Sequence, residues 1–174
     1  MLDTIIVDFT GIATLLTAIA GVVVATKTIP LSRFHLNLLI FAVSFGCLVG
    51  SLYMSNVLKL LPCELCWWQR IFIYPLVPLS AVALYKKNTS NLFTNVTTLS
   101  VIGLCFSLIN IYVQSVPEAS TLIVCDPNNP CSAIDVIALN FLTLPMMSAI
   151  AFLFFLACAW AARTPVDRME TTHE

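Results

Sequence analysis

The chain has 174 residues, of which 59% are hydrophobic and 10% are charged, and its formal net charge is -1. Soluble domains carry roughly 25% charged residues, so this composition excludes an ordinary soluble protein. No basic stretch favours a nucleic-acid partner. Backbone polar groups in lipid are satisfied only in helices or closed barrels, and the apolar runs here are long and unalternating. The sequence therefore predicts an all-α membrane protein.

Five apolar runs are long enough to cross a bilayer, which takes about 20 residues. The first, residues 5–25, contains Asp8 and has no Lys or Arg before it, so it lacks the positive region of a signal peptide. We predict that it is an additional N-terminal transmembrane or interfacial helix. The other four runs predict a four-helix transmembrane bundle, with a kink at Pro145 in the last helix. These runs are residues 36–57, 67–85, 96–116 and 136–162.

This pattern predicts three parts along the chain. Residues 1–33 hold the additional helix and a cytoplasmic link, residues 34–162 form the four-helix unit, and residues 163–174 are a polar cytoplasmic tail. The cations predict the orientation, because Lys and Arg are enriched in cytoplasmic loops. With the N-terminus outside, the cytoplasmic cations are Lys27, Arg33, Lys86, Lys87, Arg163 and Arg168, and those on the other side are Lys59 and Arg70.

The stretch LPCELCWWQR, residues 61–70, places two cysteines at the predicted start of a membrane helix. In a helix that begins near Cys63, the side chains of Cys63, Cys66 and Arg70 share one face. The positive end of the helix dipole and the Arg70 guanidinium both favour ionisation of a thiol, and the thiolate is the reactive form of cysteine. The spacing therefore predicts a reactive thiol site.

The chain has seven cysteines. Four of them form two pairs on the predicted extracytoplasmic side, Cys63 with Cys66 and Cys125 with Cys131, in the compartment where disulfides persist. A structural disulfide that closes so short a loop stabilises a fold by only roughly 2 kcal/mol, which favours a redox role for the second pair. The other three lie inside predicted spans, where we interpret them as small apolar packing residues: Cys47, Cys105 and Cys158.

Two alternatives remain open for the cysteine pairs. CxxC is also a common zinc half-site, and four cysteines are enough ligands for one ion. The chain has no second CxxC, and its histidines are His35, near the cytoplasmic end of a span, and His173 in the tail. We therefore predict no metal site. The other alternative is a non-enzymatic membrane protein in which both pairs form structural disulfides.

The motif PCELCWWQRIFIYP, the later short cysteine pair and the segment IALNFLTLP at the opening of the last helix resemble the DsbB family of membrane disulfide bond formation proteins. The closest likeness is to its compact BdbC-like branch, and it covers residues 36–162. The resemblance implies a quinone-dependent thiol oxidoreductase of the bacterial cytoplasmic (inner) membrane. Its implied partner is an extracytoplasmic DsbA-like protein with a thioredoxin fold, and its quinone is ubiquinone or menaquinone.

The resemblance also implies roles for individual residues. Cys125 forms a mixed disulfide with the partner, and Cys131 passes the electrons to Cys63. Cys66 then reacts with the quinone, beside which Arg70 lies. A fixed guanidinium suits this position because a quinone gains negative charge as it is reduced.

The sequence departs from the family pattern in the region expected to bind quinone. Gln69 stands where many members have Glu, so no carboxylate is assigned a role, and the end of the third family helix has no His. Tyr112 and Gln114 are candidate hydrogen-bond donors to a quinone oxygen, with a simple interfacial placement as the alternative. Trp67 and Gln69 complete the candidate quinone-binding set with Arg70 and Cys66.

The vitamin K epoxide reductase family is a rival resemblance, because it also joins a loop cysteine pair to a CxxC at a helix start and uses a quinone. In that family the loop pair precedes the CxxC, whereas here Cys125 and Cys131 follow it. The order along the chain therefore favours the DsbB-like interpretation.

Overall fold

The computed structural model describes residues 2–26, 31–89, 91–116, 125, 130–132 and 136–163. Within these ranges the chain is an all-α membrane bundle with one short hairpin, which confirms the predicted fold class. Its elements are α1 (Leu2–Ala25), α2 (Arg33–Asn56), α3 (Glu64–Ile73), α4 (Leu76–Lys86), α5 (Leu92–Ser115), β1 (Ile137–Ala138), β2 (Leu142–Thr143) and α6 (Leu144–Ala162).

Four helices of the described chain, α1, α2, α5 and α6, are long and apolar enough to cross a membrane. The first, second and fourth predicted spans agree with α1, α2 and α5 to within about one helical turn. α6 packs against both α5 and α1, while α3 packs against α5 and α2 packs against α4.

The third predicted span, residues 67–85, is wrong as a single helix. α3 ends at Ile73 and α4 begins at Leu76, with Tyr74 and Pro75 as a turn between them. Proline has no backbone N–H for the helical ladder, and its ring clashes with the carbonyl one turn earlier, so the ladder is interrupted there. α3 and α4 together replace the single predicted span.

The last predicted span, residues 136–162, is also wrong over its first turns. β1 and β2 pair antiparallel and form a hairpin, in which Leu139 and Asn140 have left-handed φ angles of 52° and 64°. α6 begins only at Leu144, so Pro145 lies in its first turn instead of kinking it. A missing N–H costs nothing in a first turn, because that N–H has no partner in the helix.

The larger buried cluster of the bundle lies around α6 and is called here the phenylalanine cluster. Three rings of α6, those of Phe152, Phe154 and Phe155, are its largest fully buried side chains. α5 approaches α6 closely at Gly103, where an added Cβ atom would overlap the Phe152 ring. Residues of the other five helices complete the cluster, among them Val24, Leu36, Ile40, Ile73, Leu76, Phe93 and Val96.

α1 is attached to the hairpin by a polar contact and a close approach. The Asp8 carboxylate accepts the backbone N–H of Leu139 at 3.1 Å. One turn further, a Cβ atom at Gly11 would lie 2.9 Å from the Cβ atom of Ala138, closer than side chains normally approach. The additional N-terminal helix therefore packs against the segment that leads into α6.

Candidate functional site

A second, smaller buried cluster brings the two cysteine pairs together where α3 begins and α5 ends. We call it the cysteine cluster. Its buried members are Cys63, Leu65, Val113 and Cys131, and Cys66, Phe106 and Cys125 pack against them. The structure thus gathers all four cysteines of the two predicted pairs at one end of the bundle.

The two residues of the loop pair differ in burial. Cys125 and Cys131 are joined by a disulfide, with their Cα atoms 6.0 Å apart. Cys131 is only 1% exposed and lies in the cluster with Cys63, whereas Cys125 is half-buried. The loop disulfide therefore has one sulfur-bearing residue next to the helix pair and the other nearer the surface.

Cys63 caps the N-terminus of α3, which confirms a helix start at this position. Its sulfur accepts the backbone N–H of Cys66 at 3.4 Å. The Cys63 and Cys66 sulfurs are 2.7 Å apart, so the two side chains of the helix pair lie directly against each other in the first turn of α3. The positive end of the α3 dipole stabilises a thiolate formed at this cap.

Cys66 faces α5, where Asn110 contacts its sulfur. The Asn110 side chain donates an N–H from Nδ2 to Cys66 Sγ at 3.7 Å. Asn110 is fully buried, and its Oδ1 atom has no hydrogen-bond partner among the described residues. Polar groups at membrane depth are costly to bury and are commonly functional. Asn110 is a site residue that the cysteine motif alone does not predict.

A line of polar side chains continues from Cys66 into the bundle. Gln69, one turn further along α3, accepts the hydroxyl hydrogen of Ser148 at 2.6 Å, and Ser148 Oγ lies 3.0 Å from Ser107 Oγ. Gln69 is buried between α5 and α6, and its Nε2 atom has no partner within the described part of the chain. The structure therefore places this candidate quinone-binding residue in the interior, away from the lipid-facing surface.

Arg70 extends from α3 toward α2. Its Nη2 donates to Ser55 Oγ at 2.9 Å, and its guanidinium carbon lies 5.5 Å from the centroid of the Trp67 ring, within cation–π range. One turn further, the Tyr74 hydroxyl donates to Ser51 Oγ at 3.1 Å. The Ser55 hydrogen bond and the Trp67 ring hold the half-buried positive charge of Arg70 in place.

An aromatic surface adjoins this charge. Trp67 and Trp68 are 51% and 45% exposed on the outside of α3. The Trp68 ring stacks on Phe106 of α5 with centroids 5.2 Å apart, and Phe106 stacks on Phe72. Phe106 also packs against the cysteine cluster, so the aromatic surface adjoins the residues that carry the sulfur atoms.

The two α5 residues predicted to meet a quinone lie on different sides of the helix. An α-helix turns by about 100° per residue, so Tyr112 lies about 200° around α5 from Asn110 and points away from Cys66. Tyr112 is accordingly exposed. Gln114 lies about 40° from Asn110, on the side of the cysteine cluster. The structure thus brings Gln114, but not Tyr112, toward the cysteines.

The three remaining cysteines have different environments. Cys158 lies in the phenylalanine cluster and Cys47 packs against it, which confirms the packing interpretation for both. Cys105 is exposed on the outside of α5, so its predicted role in packing within the bundle is wrong. Within the described ranges, no group of three or more His, Cys, Asp or Glu side chains is arranged to hold a metal ion.

The sequence contains a signal for these polar partners in the spacing of polar residues along α3 and α5. Cys66 and Gln69 are three residues apart on α3, and Ser107 and Asn110 are three residues apart on α5. Polar side chains at matching helical spacing in two apolar helices indicate facing positions. Ser51 and Ser55 of α2 are likewise four residues apart, the same spacing as their partners Tyr74, just after α3, and Arg70 in α3.

Fold and site together define a class of protein: a multi-pass helical membrane protein in which a loop disulfide lies against a CxxC thiol pair at a helix start. A family model described as "Disulfide bond formation protein DsbB" matches residues 32–162. The chain therefore belongs to the DsbB family of disulfide bond formation proteins. α1 lies outside the matched region.

Relatives with related names support this membership. The SPbeta prophage-derived disulfide bond formation protein B of Bacillus subtilis (strain 168) is 39% identical over 116 residues, covering 66% of this chain and 76% of the relative. Disulfide bond formation protein C of the same organism is 34% identical, covering 67% and 83%. A probable disulfide formation protein of Oceanobacillus iheyensis is 40% identical over 120 residues, covering 68% and 82%. No solved structure matched the chain.

Proposed function

We propose that this protein is a quinone-dependent thiol:disulfide oxidoreductase that reoxidises an extracytoplasmic DsbA-like partner with a thioredoxin fold. The observation that carries the proposal is the cysteine cluster, in which buried Cys131 and Cys63 lie together. Two disulfides that only stabilised the fold would gain nothing from sharing one cluster. Thiol–disulfide exchange, in contrast, requires that a thiolate reach the sulfur of another pair.

The first step takes place at the more accessible residue of the loop pair. A partner thiolate attacks Cys125 Sγ, forming a partner–Cys125 disulfide and releasing Cys131 as a thiolate. The second partner thiolate then attacks its own sulfur in the mixed disulfide, so that the partner leaves oxidised and Cys125 leaves as a thiolate. Cys125 suits this role because it is half-buried, whereas Cys131 is almost fully buried.

The second step moves the electrons between the pairs. When Cys63 and Cys66 are joined as a disulfide, the Cys131 thiolate attacks Cys63 Sγ, the Cys63–Cys66 bond breaks, and Cys66 leaves as a thiolate. Cys125 then attacks Cys131 Sγ, which restores the loop disulfide and releases Cys63. The Cys125–Cys131 disulfide present in the structure is the loop bond that this exchange restores.

A bound quinone, ubiquinone or menaquinone, would accept the two electrons of the reduced helix pair. The residues at this end suit such a ring. Trp67 and Trp68 expose apolar ring faces beside half-buried Cys66, and Arg70 is held between Ser55 and Trp67. The aromatic side chains would orient a flat ring, and the fixed guanidinium would stabilise negative charge that develops beside it.

We also propose a division of the chain and its orientation. Residues 34–162 are the thiol oxidoreductase unit, residues 1–33 add a helix and a cytoplasmic link, and residues 163–174 are a cytoplasmic tail. Both cysteine pairs lie on the extracytoplasmic side of the bacterial inner membrane. The cation distribution and the oxidising conditions outside the cytoplasm support this orientation.

Acid-quenched alkylation with a mass tag tests the function. We expect Cys63, Cys66, Cys125 and Cys131 to be mostly oxidised in respiring membranes and reduced when quinone is depleted. Disulfides that stay formed after depletion would contradict the proposal and favour a structural role. Cys105→Ser is the control, since it removes one tag site outside the cysteine cluster and leaves the response to quinone unchanged.

A single substitution tests the order of exchange. In Cys66→Ala, the Cys63 thiolate attacks Cys131 Sγ and releases Cys125 as a thiolate, which can reverse the step. A thiol-alkylating agent blocks the released Cys125, so we expect it to trap a Cys63–Cys131 disulfide together with alkylated Cys125, and peptide mapping to identify both. A Cys63–Cys125 bond as the main product would contradict the roles proposed for the two loop cysteines.

A further inference from the structure

The Cys66 sulfur has a hydrogen-bond donor that Cys63 does not share. Cys63 Sγ accepts the backbone N–H of Cys66 at the start of α3, whereas Cys66 Sγ lies within reach of the Asn110 amide. Asn110 comes from a different helix, α5, and is 0% exposed. Burying a carboxamide there costs free energy unless its hydrogen bonds are used. The hydrogen bond to Cys66 Sγ satisfies one N–H of the Asn110 side chain.

Among the described residues, the helices α3, α5 and α6 around Cys66 carry few charges. Glu64 at the start of α3 and Arg70 one turn after Cys66 are the charged residues of that helix, and Arg70 is bonded to Ser55 of α2. α5 and α6 contain no Asp, Glu, Lys or Arg. The buried side of Cys66 therefore depends on a neutral donor to stabilise negative charge on its sulfur.

We propose that Asn110 is a positioning residue that stabilises the Cys66 thiolate as the leaving group of the exchange between the pairs. This inference rests on the function proposed above. When Cys131 attacks Cys63 Sγ, the bond between Cys63 and Cys66 breaks and its electron pair stays on Cys66. A hydrogen bond to a charged acceptor is stronger than one to a neutral acceptor, so the Asn110 N–H favours this leaving sulfur.

The same contact determines which sulfur of the helix pair is attacked. Exchange is faster when the leaving sulfur is the better-stabilised thiolate. Cys63 lies in the cluster with Cys131, and Cys66 lies against Asn110. Attack at Cys63 therefore combines a buried target in the same cluster as Cys131 with a stabilised leaving group, and the thiolate is left on Cys66.

The test measures thiolate character at Cys66 without partner or quinone. The full-length protein is purified in detergent with Cys63→Ala, the loop disulfide is kept intact, and the rate of Cys66 alkylation by iodoacetamide is followed by peptide mass spectrometry at one pH below the thiol midpoint. Adding Asn110→Leu removes the donor, so less thiolate is present. We expect alkylation to slow by about 10-fold or more, the typical effect of a lost hydrogen bond to a charged group.

Asn37→Leu is the matched control. Asn37 is also buried in a membrane helix, donates from Nδ2, to Ser80 O at 3.3 Å, and has an Oδ1 atom with no partner in the described chain. We expect this control to leave Cys66 alkylation unchanged. An unchanged rate in Asn110→Leu, or an equal decrease in both variants, would overturn the inference.

Two further variants separate positioning from general damage. Asn110→Ala is judged by the same criterion if Asn110→Leu does not fold, as monitored by gel filtration and circular dichroism. In a Cys66→Ala background, alkylation of Cys63 should be unaffected by Asn110→Leu, because the amide contacts the other sulfur. If quinone depletion fails to reduce the cysteines while Asn110 still controls Cys66 alkylation, the proposed function fails and the thiolate contact stands.

Discussion

The two buried clusters of this bundle use their polar side chains differently. Around the phenylalanine cluster, buried polar groups bond to backbone carbonyls: Asn37 donates to Ser80 O, and Ser44 donates to Phe41 O. Near the cysteine cluster, side chains of different helices bond to each other, as in Asn110 with Cys66 and Ser148 with Gln69. At the first end the buried side chains bond to the backbone, within one helix or between α2 and α4, and at the second end they bond to side chains of another helix.

This difference indicates that the phenylalanine cluster mainly stabilises the fold, whereas the cysteine cluster holds the reactive groups. Close packing of rings at one end needs no reactive group and tolerates no extra volume. The other end keeps thiols, a guanidinium and buried amides, which cost stability but can stabilise a thiolate or a reduced acceptor. Natural proteins commonly depart from ideal packing at functional sites, so the cysteine cluster is where substitutions should alter rates more than folding.

The largest expected effect is on folding, from Gly103→Val in the phenylalanine cluster. The new side chain would overlap the fully buried Phe152 ring, and overpacking of a core costs typically up to about 3 kcal/mol. Unfolding in a detergent titration followed by circular dichroism measures this loss.

Gly46→Val is the matched control for that substitution. Gly46 also lies inside a membrane helix, α2, but an added Cβ atom there would meet nothing within 4 Å. We expect a change near zero in the free energy of unfolding. Equal destabilisation by the two substitutions would show that the cost comes from the helix backbone and not from the Phe152 contact.

The next effect is on electron transfer, from Arg70→Ala at the cysteine end. Loss of the guanidinium beside Trp67 should slow quinone reduction by about 10-fold, as when one stabilising group is removed from a developing charge. Exchange between the two cysteine pairs should change far less. Stopped-flow quinone absorbance and acid-quenched thiol trapping measure the two rates separately.

Arg163→Ala is the control at the opposite end. Arg163 also donates from Nη2 to a hydroxyl, Thr97 Oγ1, at 2.9 Å, but it follows the end of α6 that is opposite the cysteine cluster. We expect no change in either rate. Equal loss of quinone reduction and of pair exchange in Arg70→Ala would contradict a role of Arg70 beside the acceptor.

Some features of the two clusters could be predicted from the sequence, and others could not. Hydropathy identified the spans, and the CxxC motif identified a helix start at Cys63, because run length and cap chemistry are local properties. Hydropathy reports length and not which face of a helix meets which neighbour. Asn110 and Ser148 therefore remained unassigned, since their importance depends on the packing of α5 and α6 against α3.

The two errors in the spans have a shared cause. IALNFLTLP is apolar enough to extend a predicted span, yet the left-handed Leu139 and Asn140 turn it into a hairpin before Pro145 opens α6. The third span was predicted through Pro75, where the structure has a turn. In each case a backbone constraint at a few residues decided the outcome, and average hydrophobicity does not contain that information.

The smallest expected effect tests whether α1, which lies outside the family match, supports the hairpin at the cysteine end. Asp8→Leu removes the acceptor of the Leu139 N–H, in a turn whose left-handed φ is already unfavourable for leucine. We expect exchange of the Leu139 amide to become about 5-fold faster, equivalent to roughly 1 kcal/mol of local stability, as measured by hydrogen–deuterium exchange. Asp8→Asn keeps a side-chain oxygen acceptor and should exchange almost as slowly as the native chain. If exposed Thr17→Leu on the same helix accelerated exchange as much as Asp8→Leu, the effect would come from the packing of α1 in general and not from the Asp8 contact.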